Sequence, residues 1–148
     1  MVRVAFEYGV PIILMHNREN RDYHHFMEDV VSDLQESIEI AHAAGVKDEH
    51  IWLDPGIGFA KDVAQNLELM NYLDVITRLG YPVLLGTSRK SFIGQTLDLP
   101  TEERVEGTIA TTCLGIMTGC DWVRGHDVKE NMRAAKMMDA MMRGNGHG

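Results

Sequence analysis

The arrangement of apolar residues limits the fold of this chain more than any other feature. Short, mainly apolar strand-like segments stand at residues 10–15, 51–53, 82–86 and 121–124, the last with charged residues at its two ends, and helical segments lie between them. None alternates apolar with polar residues, so each suits a strand covered on both faces, as in a parallel sheet. Phe26, Val30, Leu34, Ile38 and Ala41 recur at close to the helical period, and Gly45 closes that segment. A second helix is predicted from Val63 to Arg78. It has Leu67, Met70, Leu73 and Ile76 on one face, and Asp62 with Gln65 as a capping pair at its start. A third runs from about Thr101 to Met117, where small residues between Gly107 and Thr112 permit close approach to a sheet. A fourth runs from about Asp127 to Met142. The connections are long enough for right-handed crossovers. The prediction is an α/β fold built of parallel β/α units.

No linker divides the chain, which reads as one domain over residues 1–143 followed by a flexible tail at 144–148. Residues 1–8 read as the end of a helix with no strand before it. Such units, about four in number, make half of a (β/α)8 TIM barrel, a fold that takes about 250 residues in full. The net charge of −8 disfavours nonspecific binding to nucleic acid, which needs a basic surface. No apolar run approaches the roughly 18 residues of a membrane span. Cys113 and Cys120 lack metal-ligand spacing and read as reduced thiols of a cytoplasmic protein. His24, His25 and His42 read as surface residues, and the methionines of the last helix as packing or a subunit interface.

Parallel β/α folds bind ligands beyond the carboxyl ends of their strands. Each predicted strand opens there into residues with chemistry: Met15-His16-Asn17-Arg18, Asp54-Pro55-Gly56-Ile57-Gly58-Phe59, Thr87-Ser88-Arg89-Lys90 and Arg124-Gly125-His126-Asp127. Asp54 follows an apolar run directly, so its carboxylate sits at a low-dielectric rim and suits a planar pair of N–H donors. Asp-Pro-Gly is equally a common turn, and the residue alone divides evenly between the two readings. Gly86 lets a ligand approach the backbone, and Lys90 supplies a compact cation. Ser88-Arg89-Lys90 taken alone also suits a solvated basic turn. Arg124 and His126 alternate along a strand end and suit phosphate or diphosphate, while Asp127 suits a helix cap.

Together these motifs resemble dihydropteroate synthase. The resemblance rests on Met15-His16, on Asp54 through Lys61, on Gly86 through Gly94 and on Arg124 through Val128, in order and in spacing, over about residues 10–142. It implies a (β/α)8 barrel that condenses a dihydropterin-CH2-diphosphate with p-aminobenzoate in folate synthesis, releasing diphosphate, with sulfonamides as competitors. By the resemblance, Asp54 holds the aminopyrimidine edge of the pterin and Met15 lines its pocket. Lys90 stands between pterin and aminobenzoate, with Gly86 beside it. Phe59 and Ser88 form the aminobenzoate side. Arg124 stacks on the pterin and, with His126, binds diphosphate. Lys90, Arg124 and His126 are the expected catalytic groups. Mg²⁺ is expected with the diphosphate.

Two departures stand out. Position 125 is Gly where the family generally has a larger residue, commonly Val, which suggests a looser Arg124–His126 alignment. The Asn, Ser-Thr-Arg-Pro, Asp and Asn motifs of the family's first four strands do not occur here, and the Mg²⁺ ligand is expected among them. The expectation is the C-terminal half of a synthase, inactive alone, forming a homo-oligomer or pairing with a missing half-barrel. Other readings are a pterin-binding module of the methyltetrahydrofolate methyltransferase type, or a non-catalytic half-barrel that self-associates through open strand edges.

Overall fold

A computed structural model describes residues 11–144. The helix end read at residues 1–8 and the tail beyond Gly144 lie outside the described residues. Four strands alternate with helices, all pairings parallel: β1 (Ile12–Met15), β2 (Ile51–Asp54), β3 (Leu84–Leu85) and β4 (Trp122–Val123). Ile12 stands opposite Ile51 and Met15 opposite Asp54, while Leu84 stands opposite Trp122. A single parallel bridge, Leu53 to Val83, joins the two strand pairs, and the Leu53 amide donates to the Pro82 carbonyl at 2.8 Å. The strand order thus follows the chain order, as successive β/α units require. The last two strands are shorter than their apolar runs, because the bridge and single hydrogen bonds replace a full ladder there.

Alternation across the strands sorts the side chains. Leu53, Val83 and Leu85 point into the helices and are fully buried. The opposite face carries Ile13, Met15 and Trp122, all exposed. On it Trp52 stacks on Trp122, ring centroids 5.3 Å apart and planes 13° from parallel.

Helix α1 (Phe26–Ala43) buries Val30, Leu34, Ile38 and Ala41, the stripe its period predicts. Helix α2 (Val63–Asn71) begins in the expected capping box, with Asp62 and Gln65 exchanging side-chain-to-backbone bonds of 2.8 and 2.9 Å. The single helix expected to reach Arg78 instead breaks at Tyr72, and α3 (Leu73–Thr77) follows. Leu67 is exposed, and Asn66 takes the inward position. The reason is polar: Asn66 Oδ1 accepts the Gly58 amide at 2.9 Å, which ties α2 to the loop after β2.

Helix α4 (Ser91–Leu97) lies inside what reads as a loop motif. It buries Phe92 and Ile93. The third long helix does not begin at Thr101. Thr101–Glu103 forms a 3₁₀ turn, and α5 (Val105–Thr118) starts after Arg104. The close approach to the sheet falls at Gly115, beyond the run of small residues at 107–112, while Gly107 within that run meets a helix instead. A Cβ on Gly107 would lie 2.4 Å from Ile93 of α4, and one on Gly115 would lie 2.5 Å from Leu85 of β3. Helix α6 (Val128–Gly144) packs on α5 and leaves Met132, Met137, Met141 and Met142 exposed, so these methionines do not form core.

Candidate functional site

The strand ends gather Met15, Asp54, Gly86 and Arg124 at one rim. Asp54 is buried, yet its two oxygens have different surroundings. Oδ1 accepts the Gly56 amide at 2.8 Å, closing a turn, and Oδ2 faces Arg124 Nη2 at 3.9 Å. The turn reading of Asp54 therefore holds, and its second oxygen is not used by that turn. Met15, its partner in register, stands beside it and is 38% exposed.

Gly86 lies between two cations. A Cβ there would come within 3.7 Å of Arg124 Nη2 and 4.0 Å of Lys90 Nζ. Arg124 keeps 66% of its side chain exposed, so its guanidinium is available to a ligand. Lys90 reaches back across the next loop, where Nζ donates to the Ile57 carbonyl at 2.5 Å and lies 5.0 Å from the centre of the Phe59 ring. Gly58 makes this possible. Its φ of +88° suits glycine, and a Cβ would meet Lys90 Cδ at 3.1 Å. Burial lowers the Lys90 pKa, Asp54 raises it and Arg124 lowers it further, with a net fall. Phe59 is 40% exposed and offers an aromatic face beside the ammonium.

Ser88 and His126 form a close pair. The His126 amide donates to Ser88 Oγ at 2.8 Å, and Ser88 Oγ lies 2.8 Å from His126 Nδ1. With the hydroxyl proton directed to Nδ1, the ring carries its own proton on Nε2 and presents a donor outward. Gly125 permits the pairing, since a Cβ there would sit 2.2 Å from Ser88 Cβ. Arg89, which reads with its neighbours as a basic turn, pairs away from Lys90 and Arg124. Its guanidinium pairs with Asp127 at 3.0 and 3.2 Å, so the Asp127 carboxylate clasps two loops together. That hydrogen bond holds the Asp127 carboxyl below its ordinary range.

The first strand-end loop plays a different part from the one its sequence suggests. His16 is buried, with Nε2 at 2.8 Å from Asp33 and Nδ1 at 2.8 Å from Lys61 Nζ. Arg18 donates to both oxygens of Asp33 and lies over the Tyr23 ring at 4.5 Å. Tyr23 in turn donates to the Ala60 carbonyl at 3.0 Å. Burial pushes Lys61 down to about 8, against the pull of Asp54. Burial and the Lys61 charge also lower His16, while Asp33 opposes them. For Asp33, burial acts upward but the hydrogen bonds from Arg18 and His16 outweigh it, leaving the carboxyl below its ordinary value. Asp33 and Tyr23 carried no signal in the sequence. The Lys61 signal was its place at the end of a glycine-rich motif.

The family model described as pterin binding enzyme matches residues 1–126. The chain is 62% identical over 144 residues to the dihydropteroate synthase of Clostridium beijerinckii, covering 97% of this chain and 54% of that protein. It is 61% identical over 142 residues to that of Bacillus subtilis, covering 96% of this chain and 50% of the relative. The chain thus spans about half the length of the curated relatives it matches. Among solved structures, Clostridium difficile dihydropteroate synthase in the presence of pteroic acid superposes with a TM-score of 0.93 at 49% identity, over 97% of this chain and 55% of that one. Yersinia pestis dihydropteroate synthase with a pterine-sulfa conjugate gives 0.91 at 36% identity, over 95% and 55%.

Proposed function

The chain belongs to the pterin binding enzyme family, and from that premise we propose that it is a substrate-binding portion of a dihydropteroate synthase. In this reading it helps condense a dihydropterin-CH2-diphosphate with p-aminobenzoate, releasing diphosphate, in folate synthesis. Its β/α units make up the second half, about four strands, of a (β/α)8 barrel.

One observation carries the reading. A buried carboxylate faces a guanidinium across a bare glycine, with an ammonium on the other side: Asp54, Arg124, Gly86 and Lys90. That is the complement of a pterin. The aminopyrimidine edge donates to Asp54, and the ring stacks on the Arg124 guanidinium. Met15 borders the pterin side, and Phe59 and Ser88 the aminobenzoate side. Lys90 stands at the junction.

The reaction breaks the bond between the pterin methylene and the diphosphate oxygen, and the electron pair leaves with diphosphate. The aminobenzoate nitrogen bonds to the methylene and then loses a proton, so no protein nucleophile is needed. Arg124 and the outward Nε2–H of His126 donate to the leaving oxygens as their charge grows. Asp54 fixes the ring and supports electron release from it. Among the described residues no group of three or more His, Cys, Asp or Glu is gathered for a metal ion. Mg²⁺ is proposed as a companion of the diphosphate, with its protein ligand expected in the half of the family's barrel that this chain does not match, and no step here runs through it. Sulfonamides compete on the aminobenzoate side. The proposed compartment is the cytoplasm, and no described helix is long and apolar enough to cross a membrane. The chain acts as a homo-oligomer or paired with a complementary half-barrel.

Calorimetry on the 148-residue chain tests this, with pterin diphosphate and p-aminobenzoate as ligands. The expected result is that pterin diphosphate binds and p-aminobenzoate binds only after it. Pterin binding without aminobenzoate would favour a methyltetrahydrofolate methyltransferase type of module instead. A folded chain that binds neither would sink the reading. Normal turnover by this chain alone would overturn the claim that it holds only part of the site.

A further inference from the structure

Beneath the rim runs a buried line of polar groups to which the reading above assigns no ligand. Lys61 is 4% exposed and His16 2%. A buried ammonium is usually held by a carboxylate, but among the described residues Lys61 has none in contact. Its three protons go to the Gly56 carbonyl at 2.9 Å, the Phe59 carbonyl at 2.8 Å and His16 Nδ1 at 2.8 Å. This uses every donor a lysine has. It also requires Nδ1 to be the unprotonated ring nitrogen, so Nε2–H donates to Asp33 at 2.8 Å. The countercharge reaches Lys61 through an imidazole.

Both carbonyls that Lys61 grips belong to the loop carrying Asp54 and Phe59. The same loop lies tight against β1, since a Cβ on Gly56 would fall 2.0 Å from the His16 carbonyl oxygen. Gly56 holds φ at +75° to make that approach. Removing the ammonium would leave the buried His16 ring nitrogen and the part-buried Phe59 carbonyl without this donor, and the Gly56 carbonyl with only the Phe59 amide at 3.0 Å, so the loop would have to open to water.

We infer that Asp33, His16 and Lys61 form a relay that sets the position of the loop bearing Asp54 and Phe59, which makes Lys61 a positioning residue for pterin binding that touches no substrate. Its consequence for ligand affinity rests on the pterin reading. Its consequence for the loop does not.

Amide hydrogen exchange and calorimetry with 6-hydroxymethylpterin, on the full chain and its Lys61→Met and Asp33→Asn variants, separate the two. The Gly56 amide bonds to Asp54 and the Gly58 amide to Asn66, so both report loop geometry. In Lys61→Met their protection should fall about a hundredfold and pterin affinity at least about tenfold. The Leu53 amide, bonded to Pro82 in the sheet, should keep its protection. Asp33→Asn, at the half-exposed end of the relay, should lower loop protection about tenfold and decides the matter if Lys61→Met does not fold. Unchanged Gly56 and Gly58 protection would overturn the relay. Loop protection lost with pterin affinity intact would overturn the positioning role. Relay-dependent protection in a wild-type chain that binds no pterin would leave the relay standing and remove the pterin reading.

Discussion

At Gly125 one missing side chain decides how two others meet. Any larger residue would add a Cβ 2.2 Å from Ser88 Cβ and 2.7 Å from its Oγ. The clash is with the root of the serine side chain, so rotating the hydroxyl does not relieve it. Gly125→Val should push Ser88 away and break both of its bonds to His126. The ring would then lose its fixed tautomer. Binding of inorganic diphosphate, measured by calorimetry, should weaken about tenfold, with pterin affinity little changed. Equal diphosphate affinity in the two proteins would mean that the Ser88–His126 pair plays no part in anion binding. Asp54, Gly86 and Arg124 could be read as site residues because each stands directly at a strand end, and Lys90 because it lies in the short loop that follows Gly86. The Asp127 partner of Arg89 was not legible in the same way, because position near a strand end says nothing about which partner a charged side chain finds.

Among the elements, α5 shows how a small residue fixes a distance. Gly115 lets the helix approach β3 until a Cβ would lie 2.5 Å from Leu85 Cδ2. Leu85 is fully buried and has nowhere to retreat. Gly115→Val should therefore destabilise the fold by about 1–3 kcal/mol through overpacking. A urea titration would show this as a lower midpoint with an unchanged slope. A midpoint equal to wild type would mean that α5 is free to slide. The start of α2 was legible because a capping box is written in four neighbouring residues. Its end was not. The apolar period continues through Tyr72, but Asn66 must face the loop after β2, and the break lets Leu69 and Met70 and then Leu73 and Ile76 all stay buried. Helix α4 was hidden by motif residues that serve the site on one side and the core on the other.

Across the whole molecule, the two faces of the sheet differ. The helix-covered face holds the core, whereas the other exposes Ile13, Met15 and Trp122, and α6 exposes four methionines. Apolar surface on this scale favours association. The proposed homo-oligomer should appear in light scattering at micromolar concentration as a mass at least twice that of the chain. Trp52→Ser with Trp122→Ser, which removes the stacked pair, should shift it toward monomer. A wild-type monomer with a sharp thermal transition would refute the association.

The amino-acid sequence alone determined the parallel β/α rhythm, the stripe of α1, the capping box of α2 and the order of the rim residues. Each depends on periodicity, or on groups a few residues apart. Only the tertiary structure decided that Lys61 donates to His16, 45 residues away, and that His16 meets Asp33 at a separation of 17. The same holds for the Arg89–Asp127 clasp and the Ser88–His126 pair, both at a separation of 38. Such pairings are set by which buried donors and acceptors the folded backbone brings within reach. No unpaired group can remain there cheaply, and that constraint exists only once the chain has closed on itself.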